Sequence, residues 1–129
     1  MSCLSARMVL QTLVSLHLAI GFGLLALLVA ITVLAVPAAV RGQPPPPLYR
    51  TLHRVAAGAI VAEVVVGLVL LGLQARPRDN LHLVYGAAAL LVMPVARLLV
   101  RADRGKARVY QVGGTVLLLG VLFRLVTTG

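Results

Sequence analysis

The chain has no tryptophan, a single cysteine and only three acidic residues among 129. Cys3 alone can form no intrachain disulfide, and no CxxC metal or haem-attachment motif exists. The sequence holds no nucleophile–base pair, no phosphate-binding glycine loop and no metal cluster of soluble type, so catalysis is not expected. With no tryptophan and few polar residues inside its apolar runs, it outlines no substrate pathway. A proton-coupled transporter using Glu63 therefore ranks last among the functional readings.

The scarcity of Asp and Glu leaves 12 Lys+Arg largely uncompensated, for a net charge of +9. These cations sit at the ends of apolar runs, as topogenic charges do, and do not form a basic domain. Nucleic-acid binding is not expected.

What the chain has in abundance is apolar surface. Hydrophobic residues make up 60% of it, with a mean hydropathy of +1.03. A soluble domain this small could not bury so much, because its surface is large relative to its volume. A bilayer is the fitting solvent. Apolar runs fall at about Leu16–Val40, Tyr49–Leu73, Leu81–Val100 and Val109–Val126. Each is long enough to cross a hydrocarbon core of ~30 Å as a helix, and none alternates as a membrane strand would. The first run follows Arg7 and precedes the small residues of AVPAAVRG, yet it exceeds a cleaved signal's core and reads as a retained helix.

The expected fold is all-α: an integral membrane four-helix bundle forming one transmembrane domain, with helices at about 13–40, 49–73, 81–100 and 109–126, the first extended into the headgroups by Met8–Ser15. Four consecutive prolines, Pro44–Pro47, break the first pair of helices. RPRDN at Arg76–Asn80 ends the second helix, and Asp79 or Asn80 can cap the third. RADRGKAR at Arg101–Arg108 forms a basic third loop, and Pro94 is expected to bend helix 3. Eight cations flank the first and third loops, against Arg7, Arg76, Arg78 and Arg124 on the other side. The positive-inside rule then puts both basic loops in the cytoplasm and both termini outside the cell membrane.

Two stretches align: HLAIGFGLLALL from His17 and HLVYGAAALLVM from His82. Both open His-Leu-x-x-Gly, and an intramembrane histidine is costly. With a looser match of LHRVAAG to VYQVGGT, they suggest two related helical hairpins. One antiparallel helix separates helices 1 and 3, so the two run in the same direction. His17 and His82 therefore lie at similar depth. Gly21 and Gly86, four residues on, share their faces and leave room for a flat ring. Two imidazoles so placed can ligate the iron of a b-type haem. The plainer alternative is that each histidine sits at the interface with its polar edge toward water or headgroups. Single histidines on chlorophyll magnesium would be a pigment-binding variant.

His53 lies near the start of helix 2, at the other side, and reads as an interfacial residue with lipid or partner contacts. Glu63, midway along helix 2, shares a face with Ala56, Ala59 and Gly67, small residues that favour close helix contact. Desolvation should keep an isolated carboxyl there protonated. It serves either a proton relay or cofactor contact, or a hydrogen bond to a neighbouring helix.

EVVVGLVLLG from Glu63, followed by LHLVYGAAALL around His82, resembles a stretch of the haem A synthase family. The resemblance covers Glu63–Met93, plus His17 by position. It implies a four-helix unit holding haem through histidines on two helices of like direction. This chain is half the family's length. Leu18 follows His17 where the family has His-Arg, and Val14 stands where its outer half carries an acidic residue. The resemblance thus implies haem binding and not haem A synthesis. The expected function is a small haem b membrane protein, carrying electrons or serving as a haem-bearing subunit of a respiratory or photosynthetic complex. The alternative is a cofactor-free accessory subunit packed against other membrane subunits.

Overall fold

The computed structural model describes residues 3–73, 75 and 79–128, without the side chains of residues 3 and 4. Arg76 and Arg78, which entered the charge count, lie outside the described residues, as does the side chain of Cys3. Four α-helices account for nearly all of the rest: α1 Cys3–Val40, α2 Pro47–Gly72, α3 Leu81–Ala102 and α4 Ala107–Thr128. One 3-10 turn, Arg104–Lys106, precedes α4. All four helices are long and apolar enough to cross a membrane. Three of them match the expected spans to within a turn at each end.

Helix α1 begins ten residues before the expected span, carrying the helical extension expected over Met8–Ser15 on to Cys3. Gln11, Thr12 and Ser15 do not interrupt it, because helix backbone bonds are independent of side-chain polarity. Thr12 also satisfies its own hydroxyl by donating to the Met8 carbonyl at 2.9 Å. At 1.5 Å per residue the 38-residue helix is about 57 Å long, so its first turns extend past any hydrocarbon core.

The breaks have identifiable chemistry. Gly42 adopts φ +68° and closes α1 as a Schellman motif. Its amide donates to the Ala39 carbonyl at 3.0 Å, and that of Gln43 donates to Ala38 at 2.8 Å. Pro46 and Pro47 then open α2, where a missing N–H costs nothing. Asp79, and not Asn80, caps α3: its Oδ1 accepts from the Leu81 amide at 2.9 Å. Asp103 accepts from the amides of Gly105 and Lys106 at the turn into α4. Pro94 is accommodated inside α3 without ending it.

Helix α1 packs against α2 and α4, and α3 packs chiefly against α4. Helices α2 and α3 scarcely meet, and α1 and α3 stand diagonally. The buried residues follow alternating steps of four and three. On α1 the stripe runs Gly21, Leu24, Leu28, Ile31, Ala35. On α2 it holds Tyr49, Ala56, Ile60, Glu63 and Leu70, and on α4 Thr115, Leu118, Leu122 and Leu125. This spacing is the signature of left-handed, knobs-into-holes packing. The outward faces carry Phe22, Val33, Leu68, Leu91 and Leu117, all more than half exposed. That many uncovered apolar side chains are suited to lipid contact.

Candidate histidine–glutamate site

His17 lies four residues before Gly21, so it continues the buried stripe of α1. His82 opens α3 on the face that looks into the bundle. Across the diagonal their ring centroids are 5.9 Å apart, with the planes at 67°. The HLxxG alignment placed these residues at equal depth, and the fold brings them together.

One of the two imidazoles is held by a hydrogen bond at Nδ1, and the other has no hydrogen-bond partner at that atom. The Nδ1 of His82 lies 3.0 Å from the Leu125 carbonyl oxygen. A carbonyl only accepts, so this nitrogen carries the proton and Nε2 keeps its lone pair. Leu125 lies in the last turn of α4, where carbonyls are short of backbone donors, and its oxygen also takes the Thr128 hydroxyl at 3.3 Å. His17 Nδ1 lies 3.2 Å from Oε1 of Glu63, which is 7% exposed. The pair is in ion-pair range but not aligned as a hydrogen bond, and Glu63 Oε2 is buried without a partner. The centre thus holds unspent polar capacity, which is costly in an apolar interior.

The glycines act differently from the sequence expectation. A Cβ on Gly21 would stand 3.1 Å from Glu63 Oε1, so Gly21 makes room for the carboxyl. Beside Gly86 lies the Leu125 side chain, 3.9 Å from where a Cβ would be. The close approach to an imidazole is made by Gly67 of α2, whose Cβ would come 3.3 Å from His17 Cε1. Gly67 and the Leu125 carbonyl are the site components that the histidine pattern did not supply. Gly67 was detectable as the residue four beyond Glu63, whereas a backbone carbonyl leaves no mark on side-chain pattern. Nearby, the Arg124 guanidinium lies 5.9 Å from the Tyr85 ring centroid, a cation–π distance.

His53 is at the other end and is half-buried, not simply interfacial. Thr115 donates its hydroxyl proton to the Gln111 carbonyl at 2.8 Å. Its oxygen is left to accept from His53 Nε2–H at 3.3 Å, while the Tyr49 ring lies 4.5 Å from that of His53. His53 and Met93 line one cavity at that end, of about 330 Å³.

Among the described residues, no group of three or more His, Cys, Asp or Glu side chains could hold a metal ion. A metal at His17 and His82 would have to bring most of its own ligands, as haem does. His82, with its Nδ1–H on the Leu125 carbonyl, keeps Nε2 as a lone-pair donor, and the His17 ring stands 5.9 Å away, centroid to centroid. No protein-family model matches the chain, and neither a curated protein nor a solved structure is detectably similar to it.

Proposed function

We propose that this is a multi-pass membrane protein that binds one b-type haem, which His17 and His82 would hold. One observation carries the reading: two imidazoles from diagonal helices stand with ring centroids 5.9 Å apart, and that of His82 is hydrogen-bonded through Nδ1 to the Leu125 carbonyl. That bond leaves His82 Nε2 as a donor atom and fixes the ring's orientation, as the outer partners of metal-bound histidines do. Bound haem would supply reversible one-electron chemistry. The protein's own residues would set the ring orientations, exclude water and tune the potential.

The role follows as an electron carrier or haem-bearing subunit, with lipid and other membrane subunits as neighbours. The second reading, a cofactor-free accessory subunit, draws on the filling of the spaces beside Gly21 and Gly86 by Glu63 and Leu125. An absorbance spectrum of the detergent-purified chain separates the two. A reduced-minus-oxidised b-type signal at one haem per chain is expected. Its absence after expression with ample haem would leave the accessory-subunit reading.

A further inference from the structure

At the end of the bundle opposite the histidine pair, the gap between α2 and α3 opens into the cavity that His53 lines. Its walls carry two arginine ladders. Arg50 and Arg54 lie one turn apart on α2, and Arg97 and Arg101 one turn apart on α3, all exposed at the rim. The floor comes from α4, with Gln111 and Thr115 toward the rim and Leu118 deeper. Val92 and Met93 continue the apolar lining along α3.

No carboxylate answers these four guanidiniums. The chain has three acidic residues, and each is engaged elsewhere. Glu63 faces His17, Asp79 caps α3, and Asp103 caps the turn before α4 and lies 3.7 Å from Lys106. Like charges facing across a narrow groove repel, and a bound anion relieves that repulsion. Guanidinium forks suit phosphate oxygens in particular. Snorkelling cations scattered around a helix end would need no cavity. Here they border one whose lining is apolar below and cationic above, which is the polarity of an acidic lipid. Basic pockets between transmembrane helices commonly take such headgroups.

We propose that this cavity binds one anionic glycerophospholipid, its phosphate between the Arg50/Arg54 and Arg97/Arg101 ladders and an acyl chain along the gap between α2 and α3. Gln111 is placed to donate to a headgroup oxygen. The site requires membrane insertion but is independent of haem at the other end.

The test is native mass spectrometry of the full chain released from nanodiscs of mixed phosphatidylcholine and phosphatidylglycerol. The wild-type chain is expected to retain one phosphatidylglycerol and no phosphatidylcholine. The double variant R54Q/R97Q should retain at least tenfold less, and R54K/R97K an intermediate amount, because lysine keeps charge but not the fork. The charge-matched double variant R41Q/R104Q, whose arginines do not line the cavity, should behave as wild type. All variants are compared at equal thermal stability in detergent. Equal retention of phosphatidylcholine, or equal loss in R41Q/R104Q, overturns the proposal in favour of diffuse surface attraction. Displacement of the lipid by millimolar inorganic phosphate overturns it in favour of a free-anion site.

Discussion

His82 donates its Nδ1 proton to the backbone carbonyl of Leu125, 43 residues further along the chain, at 3.0 Å. The bond joins the first turn of α3 to the last turn of α4, where carbonyls are short of backbone donors. It fixes both the tautomer and the direction of a ring that faces His17.

If haem is bound, His17→Ala and His82→Ala should each abolish the low-spin spectrum, while His53→Ala should leave it intact. Absorbance spectra of the purified variants provide the check. A normal spectrum in His82→Ala would remove that residue from the axial pair.

Glu63 should tune the site without ligating. Glu63→Gln keeps an oxygen that can accept from His17 Nδ1, so folding and haem content should be preserved. If Glu63 takes up a proton on reduction of a bound haem, the Gln variant loses the pH dependence of the midpoint potential. Glu63→Leu removes the carboxyl within ion-pair range of His17 and fills its place beside Gly21 with an apolar side chain, so helix packing should weaken modestly, visible as a lower Tm in detergent. Potentiometric titration of both variants tests the assignment; a Gln variant with wild-type potential at every pH confines Glu63 to a packing role.

Gly114 should be the least tolerant glycine of the bundle. A Cβ there would come 2.8 Å from Ala96 Cβ, so α3 and α4 would have to separate. Gly114→Ala should destabilise by about 1–3 kcal/mol, as overpacking does. At Gly113 nothing lies within 4 Å, and Gly113→Ala should be neutral or slightly stabilising. Thermal unfolding in one detergent compares them, and equal stability of the two variants would contradict the close packing of α3 on α4.

Cysteine labelling tests orientation. In a chain lacking Cys3, a cysteine at Asp79 should react with an impermeant reagent applied outside intact cells, and one at Gly105 should not. The reverse result would place the termini and the α2–α3 loop in the cytoplasm.

Four helices, their approximate limits and their suitability for a membrane were legible because apolar length and proline breaks are properties of the chain alone. So was the pairing of His17 with His82, since a shared HLxxG and parallel direction fix depth. The partner of Glu63 was not. In a bundle whose lipid-facing side is as apolar as its core, hydrophobic periodicity does not mark the inner face. The stripe of fours and threes from Gly21 to Ala35 therefore shows only once burial is known.

Helix α1 runs on to Cys3, beyond the extension expected over Met8–Ser15, because a helix ends where its backbone bonds end and not where polar side chains begin. His53 was placed at the interface because, by sequence, it has no second histidine at its depth; Thr115, 62 residues away, is its partner in the fold.

The sequence by itself determined the number of helices, their length and apolar character, and the position of each polar residue along its helix, because these depend on composition and on distance along a helix. Only the tertiary structure decided which faces meet. It turned Glu63 and Gly67 toward His17, lent His82 the Leu125 carbonyl and left four arginines around an open cavity. Rotation of a helix about its axis is set by packing against its neighbours, and no single helix carries that information.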